Sequence, residues 1–255
     1  MRDHGLQEAI RAAGGIGELA RRLGISQPSV SNWERIPAER VLSVEHATGI
    51  ARALLRPDLF GDSAAGSRDE VDAARAQEYA LLATLLARSP DQQLLKRLAG
   101  LKGDASPLGL AHAALGQAAQ SADPERVGRE YFDLFVGLGR GELLPYASYY
   151  LTGFLYERPL ARLRGDLKRL GIEPMPGQSE PEDHAAILCE IMAHLAGTDS
   201  GAAAEQEIFE KHLAPWLGRF FTDLERSRTA NFYARVGALG RTFIAIESEA
   251  FGLAN

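Results

Sequence analysis

Residues 130–148 read EYFDLFVGLGRGELLPYAS, and the fold of the chain turns on them. Tyr131, Leu134, Phe135 and Leu138 recur at i, i+3, i+4 and i+7, one face of a helix. Phe132 and Val136 add a second apolar row, so this helix is expected to be apolar nearly all round and buried in a core. Gly137, Gly139 and Gly141 then end it and allow an unusual backbone path. Pro145 delays the next helix until about Ser148, a good N-cap for Tyr149 onward. A core helix that feeds a glycine loop ending in Pro145, Tyr146 and Ser148 fits a scaffolded functional loop and an ordinary interhelical turn equally well.

Outward from this stretch, everything after residue 70 reads helical. Residues 70–88 carry Tyr79, Leu82, Leu85 and Leu86 on an inner face, and helices over 91–101 and 108–120 each follow a proline. Asp123 and Pro124 have the N-cap-then-proline arrangement that opens the 130 helix. Helices are expected over 148–156, 157–170 and 182–196, with a two-proline loop at 171–179 between the last two. The stripe Phe209, Leu213, Trp216, Leu217, Phe220 is interrupted at Pro215, a kink or a break. Phe232, Val236, Leu239, Phe243 and Ile246 mark a last helix. No alternating strand pattern and no internal repeat stands out, so the fold class is all-α.

The first sixty residues form a unit of their own. Leu19, Ala20 and Leu23 give one helix its inner face, Gly24 suits a tight turn, and Ser26 caps a new helix that tolerates Pro28 in its first turn. Ala20, Gly24, Val30 and Trp33 match helix-turn-helix spacing. Pro37 opens a further helix with Glu39 in its first turn. Residues 61–69, GDSAAGSRD, are small, polar and aperiodic, and are expected to be the linker between a domain at 1–60 and a larger one at 70–255.

Composition bounds the function. Among 255 residues, 28 are Lys or Arg and 34 are Asp or Glu. Residues 1–60 hold eight basic and seven acidic side chains, which leaves 20 and 27 for residues 61–255, net −7. An acidic second part argues against nucleic acid there and suits a basic ligand, such as a peptide with paired arginines. One cysteine, Cys189, excludes an intrachain disulfide and a cysteine-cluster metal site. No run of ~18 apolar residues predicts a membrane-spanning helix, and the N-terminus reads as mature cytoplasmic protein. Arg21 and Arg22 sit in a short amphipathic helix and do not form a twin-arginine signal.

Three ordered motifs carry a resemblance. Glu130, Leu134-Phe135 and Gly137, followed by Pro145-Tyr146 and Ser148, come first. Glu180-Pro181-Glu182-Asp183-His184 comes second, and His212-Leu213-Ala214-Pro215-Trp216 with Phe220 third. Together they resemble the TorD family of all-helical chaperones for molybdenum enzymes exported by the twin-arginine route. The resemblance implies that the 145–148 loop and the 180–184 box border the groove that receives client, with Glu182 or Asp183 facing a client arginine in a bidentate pair. It also implies a molybdopterin oxidoreductase precursor as partner. Without it, residues 180–184 read as a helix start, with Pro181 at N1, Glu182 and Asp183 at the positive end of the dipole, and His184 a satisfied core histidine. Guanine-nucleotide binding has been associated with the family, but no residues here are seen to carry it.

The string from Gly24 to Trp33, then Ile36-Pro37-Ala38-Glu39-Arg40-Val41-Leu42 and Arg56-Pro57-Asp58-Leu59-Phe60, resembles Cro/YdaS-like DNA-binding domains. In that reading residues 26–35 are the recognition helix. Ser26, Gln27, Ser29, Ser31 and Asn32 face outward toward bases, and Arg22, Arg35 and Arg40 serve phosphates of double-stranded DNA. A dimer on a two-fold site is then expected. The alternative is a helix-turn-helix kept as a protein-contact module, which its near-neutral charge favours.

Other chemistries find little support. His184, Cys189 and His194 lie five apart, and such steps scatter side chains around a helix, so metal binding is not expected. The glycines are followed by no Gly-Lys-Ser/Thr and preceded by no strand, which excludes a Walker loop. Neither Gly-x-Ser-x-Gly nor His-Glu-x-x-His occurs, and no nucleophile–base pair is placed by spacing, so no enzyme and no cofactor is proposed.

Overall fold

A computed structural model of the protein describes residues 3–173, 179–198 and 202–253. The chain divides into two compact units, Met1–Asp72 and Ala73–Asn255. All regular structure among the described residues is helical.

In the first unit α1 (His4–Ala13) starts on Asp3, whose carboxylate accepts the Leu6 amide at 2.9 Å. Gly24, at φ 66°, makes the turn between α2 (Ile16–Arg22) and α3 (Gln27–Ser31). A 3-10 turn, Ala38–Arg40, leads into α4 (Val41–Thr48), and α5 (Arg52–Leu55) follows. Leu6, Leu19, Ala20, Val30, Ile36, Val41 and Leu55 are its buried core, with Leu23 and Trp33 packed on the margin. The recognition helix expected over 26–35 stops at Ser31. Serine and asparagine compete for backbone hydrogen bonds in helix interiors, and ending there lets the chain turn and bury Ile36. The Arg56-Pro57-Asp58 string has a structural use. Arg56 is buried, donates to the Ile36 carbonyl, and holds Asp58 in two bonds of 2.7 Å.

The expected linker at 61–69 lies inside α6 (Pro57–Ala87), and the division between units falls within that helix. Proline at its start, Asp58 in its first turn and an alanine-rich interior outweigh the small polar residues of the stretch. The helices α7 (Gln92–Leu98), α8 (Pro107–Gln120) and α9 (Pro124–Tyr131) follow, the last capped by Asp123 as expected. A π turn, Phe132–Val136, continues α9. Then come α10 (Ala147–Thr152), α11 (Arg158–Arg169) and α12 (Ala185–Ala196). Next are α13 (Ala202–Ile208), a second π turn (Phe209–Leu213), α14 (Leu217–Arg226) and α15 (Phe232–Leu253). Residues 174–178 of the expected 171–179 loop lie outside the described residues.

The core is aromatic and aliphatic: Tyr79, Leu82, Leu85, Leu134, Leu188, Met192, Phe209, Trp216, Phe220, Phe221, Tyr233 and Phe243 are buried together. An ionic cluster ties α6 to α13 and α15. Arg75 donates to Glu205 and, at 2.7 Å, to Glu247, which also accepts the Tyr79 hydroxyl at 2.9 Å. Burial opposes charge on Arg75, and the two carboxylates outweigh it, raising its pKa. Glu247 takes the inward position four residues after Phe243, so Ile246, expected inside, is exposed. At Pro215 the helical stripe breaks outright. The Trp216 indole then donates to the His212 carbonyl at 2.7 Å and is buried.

Three expectations around the opening stretch need correction. Phe132 and Val136 are exposed, and Leu138 almost wholly so, because the π turn fits an extra residue into the last turn and undoes the 3.6-residue count. The next helix starts at Ala147 with Tyr146 as N-cap, so Ser148 lies inside its first turn. It ends at Thr152 on Gly153, φ 84°. The helix expected from 182 starts at Ala185 with His184 as N-cap, so Pro181, Glu182 and Asp183 precede it.

Candidate functional site

The glycine loop folds back on the helix that feeds it. The amides of Glu142 and Leu143 donate to the carbonyls of Asp133 and Leu134 at 3.1 and 2.8 Å. Gly137 has φ 63°, and a Cβ there would lie 2.1 Å from the Arg140 carbonyl oxygen. A Cβ on Gly141 would lie 2.6 Å from the Leu134 oxygen, so side chains are barred at both positions.

The loop then meets the 180–184 box. Tyr146 and His184 form an isolated antiparallel bridge, with Ala147 donating to the Asp183 carbonyl at 3.0 Å and Ala185 to the Pro145 carbonyl at 2.8 Å. Asp183 is buried, and one carboxylate oxygen accepts both the Ser148 amide (2.8 Å) and the Ser148 hydroxyl (2.5 Å). It sits at the positive end of α10. His184 Nδ1 accepts the Ala186 amide at 3.1 Å, which caps α12. Burial lowers the pKa of His184 against the opposing charges of Glu180 and Asp183. Glu182, held below the usual carboxylate range against burial, accepts from Arg164 at 2.8 Å. Glu180 accepts the Tyr146 hydroxyl at 2.6 Å.

The structure therefore brings Pro145, Tyr146 and Ser148 together with 180–184 as one clasp, in which Asp183 and Glu182 are already committed to partners within the chain. Glu130 and Phe135 stand apart from it. Glu130 accepts the amides of Asn231, Phe232 and Tyr233 at 2.8, 3.2 and 2.7 Å and so caps α15. Phe135 packs edge-on against Tyr131 and Tyr233. In the third motif Ala214 and Pro215 are exposed, while His212 is buried and bonds Asp166 at 2.9 Å, which lowers the Asp166 pKa.

Beside the clasp lies a cleft of about 400 Å³ that spacing did not reveal, lined by Glu142, Leu144, Tyr149, Tyr150, Arg219 and Asp223, among others. Its residues come from the glycine loop, α10 and α14, and only the fold assembles them. The signal in the sequence was Tyr149-Tyr150, directly after the Pro-Tyr-x-Ser motif.

In the first unit Gln27, Ser29, Ser31 and Asn32 are exposed, as are Ser26 and the three arginines. Gln27 folds back toward Gly17, where an added Cβ would lie 3.6 Å from its Oε1. Arg22 donates to the Ala47 carbonyl at 3.1 Å and Arg35 pairs with Asp58 at 3.5 Å, whereas Arg40 has no ion pair among the described residues. Ser26 and Ser29 bond each other at 2.7 Å. Among the described residues no group of three or more His, Cys, Asp or Glu is placed to hold a metal ion. Burial pushes the Cys189 thiol up to about 12. No described helix is long and apolar enough to cross a membrane.

This geometry defines an all-helical protein with a helix-turn-helix unit ahead of a larger clasped unit. Residues 6–64 match the family described as bacterial toxin YdaS, and residues 101–222 match the family described as the nitrate reductase delta subunit. The chain thus carries a segment similar to the YdaS family followed by a segment similar to the nitrate reductase delta subunit family. It is 30% identical over 126 residues to chaperone protein TorD of Vibrio cholerae serotype O1, across 45% of this chain and 57% of that relative. It is 26% identical over 202 residues to chaperone protein TorD of Shewanella loihica, across 70% and 93%. The chain therefore spans little more than half of the first of these relatives. A solved structure from Archaeoglobus fulgidus, 20% identical, covers 67% of the chain with a TM-score of 0.48.

Proposed function

We propose that this chain is a cytoplasmic chaperone that binds the twin-arginine signal peptide and apoprotein of a molybdopterin oxidoreductase. It would shield the client until molybdopterin guanine dinucleotide is loaded. The observation that carries this reading is the likeness of residues 101–222 to the delta-subunit family, with relatives named as TorD chaperones. Glu180 and Tyr146, at the margin of the clasp, and the acidic charge of residues 61–255 support it. The chain acts by binding and not by catalysis. Tagged full-length protein should retain a twin-arginine molybdoenzyme precursor from its native cytoplasm. Recovery of mature, cofactor-loaded enzyme without any precursor would sink the proposal.

The YdaS likeness of residues 6–64 supports a second part, binding of double-stranded DNA by a dimer through exposed Gln27, Ser29, Ser31 and Asn32, with Arg35 and Arg40 on phosphates. Client occupancy would then alter DNA binding. Arg40→Ala should weaken operator binding in a gel-shift series and flatten its dependence on salt by about one unit of slope. An unchanged slope removes Arg40 from the interface. A ligand-sensing regulator without chaperone activity is the rival reading; it gains if the same pull-down yields DNA and no precursor.

A further inference from the structure

Asp183 and Glu182 already have partners within the chain, so carboxylates without an ion pair are of particular interest to a basic client. The cleft beside the clasp offers them. Glu142 accepts the Ser227 hydroxyl at 2.7 Å and Asp223 accepts the Tyr150 hydroxyl at 3.2 Å. Neither takes part in an ion pair among the described residues, so each keeps acceptor capacity toward the cleft. Tyr149 and Tyr150 line the same cleft. Carboxylates beside aromatic faces are the surroundings a guanidinium prefers, with in-plane hydrogen bonds and stacking on a ring.

The chain's own arginines already use those faces. The Arg219 guanidinium lies 5.6 Å from the Tyr150 centroid. That of Arg140 lies 5.1 Å from the Tyr149 centroid and donates to its hydroxyl at 2.6 Å. The cleft's wall continues as exposed apolar chain. Leu151 and Gly153 line the cleft, and Phe154 and Tyr156 are 70% and 73% exposed. The Thr152 hydroxyl fixes this projection by donating to the Ser148 carbonyl at 2.8 Å and accepting the Phe154 amide at 3.2 Å. Tyr156 is held at φ 61°, a left-handed conformation costly for a bulky residue and of the kind that gathers at ligand-binding segments.

We infer that this cleft takes a client arginine between Glu142 and Asp223 and over Tyr149 and Tyr150. The projecting Leu151, Phe154 and Tyr156 receive the apolar residues that follow it. Arg140 and Arg219 occupy the ring faces until the client displaces them. The inference rests on the proposed function and names its site.

The test is calorimetric titration of the full chain with a synthetic peptide of two arginines followed by an Ala/Leu run. Glu142→Gln with Asp223→Asn keeps the hydrogen-bond acceptors, removes the charges, and should weaken binding about tenfold or more. Phe154→Ser should weaken binding of this peptide and leave a peptide with a Gly/Ser run unchanged. Arg219→Ala should tighten binding, a result no purely structural role would produce. Wild-type affinity in the charge-removed variant, or weaker binding by Arg219→Ala, overturns the site while the chaperone reading stands on its precursor pull-down. Failure of the wild type to bind the peptide overturns the site and the signal-peptide reading together.

Discussion

Glu130 shows how a motif residue can be legible while its work is not. Its place before Leu134-Phe135 marked it in the sequence, but the amides it accepts lie about a hundred residues away, and no local pattern forecasts such a partner. Glu130→Ala should cost about 1–2 kcal/mol in urea unfolding, the range of a lost N-cap, and leave client affinity intact. A loss of client affinity in a fully folded variant would return Glu130 to the binding surface. Two histidines should titrate in opposite directions. His184, its pKa lowered chiefly by burial, contributes stability that is complete above the ordinary imidazole range and is lost as pH falls through its lowered value. His112, raised chiefly by its bond to Glu78 at 2.8 Å, contributes stability that is complete below the ordinary range and is lost as pH rises through its raised value. Ring resonances followed by NMR should place the His184 midpoint below that of free histidine and the His112 midpoint above it. The reverse order would contradict both environments.

At the scale of elements, most helices could be read from periodicity and caps, and Asp123-Pro124 is the clearest case. The misreadings cluster where the helical count is irregular. The π turn at 132–136 exposes Phe132 and Val136 because a sequence carries no mark of an extra residue in a turn. The late starts of α10 and α12 have another cause: the Tyr146–His184 bridge extends the backbone on both sides, and that pairing joins segments 38 positions apart. The glycines were rightly read as enabling an unusual path, but which of them is indispensable depends on contacts. Gly141→Ala should destabilise by about 2 kcal/mol or more, because its Cβ meets backbone that cannot give way. Gly139→Ala meets nothing within 4 Å and should cost about 1 kcal/mol, for its φ of 93° alone. Thermal unfolding of the two variants would rank them, and a larger loss at Gly139 would refute the packing of this loop.

For the whole molecule, charge is spread unevenly, with a near-neutral first sixty residues and an acidic remainder. Residues 61–69, expected as an aperiodic linker, continue a helix. If client and DNA binding are coupled, the factor by which operator changes peptide affinity must equal the factor by which peptide changes operator affinity. Peptide titrations with and without operator would measure it, and identical affinities would end the coupling proposal.

The two tryptophans fall one to each unit, Trp33 half-buried near the helix-turn-helix and Trp216 sealed in the larger core. The molecule thus carries a separate optical reporter for each part. In Trp33→Phe protein, emission comes from Trp216 alone, blue-shifted until the larger unit melts. In Trp216→Phe protein, emission follows the smaller unit. The order in which the two units come apart can be read directly in light.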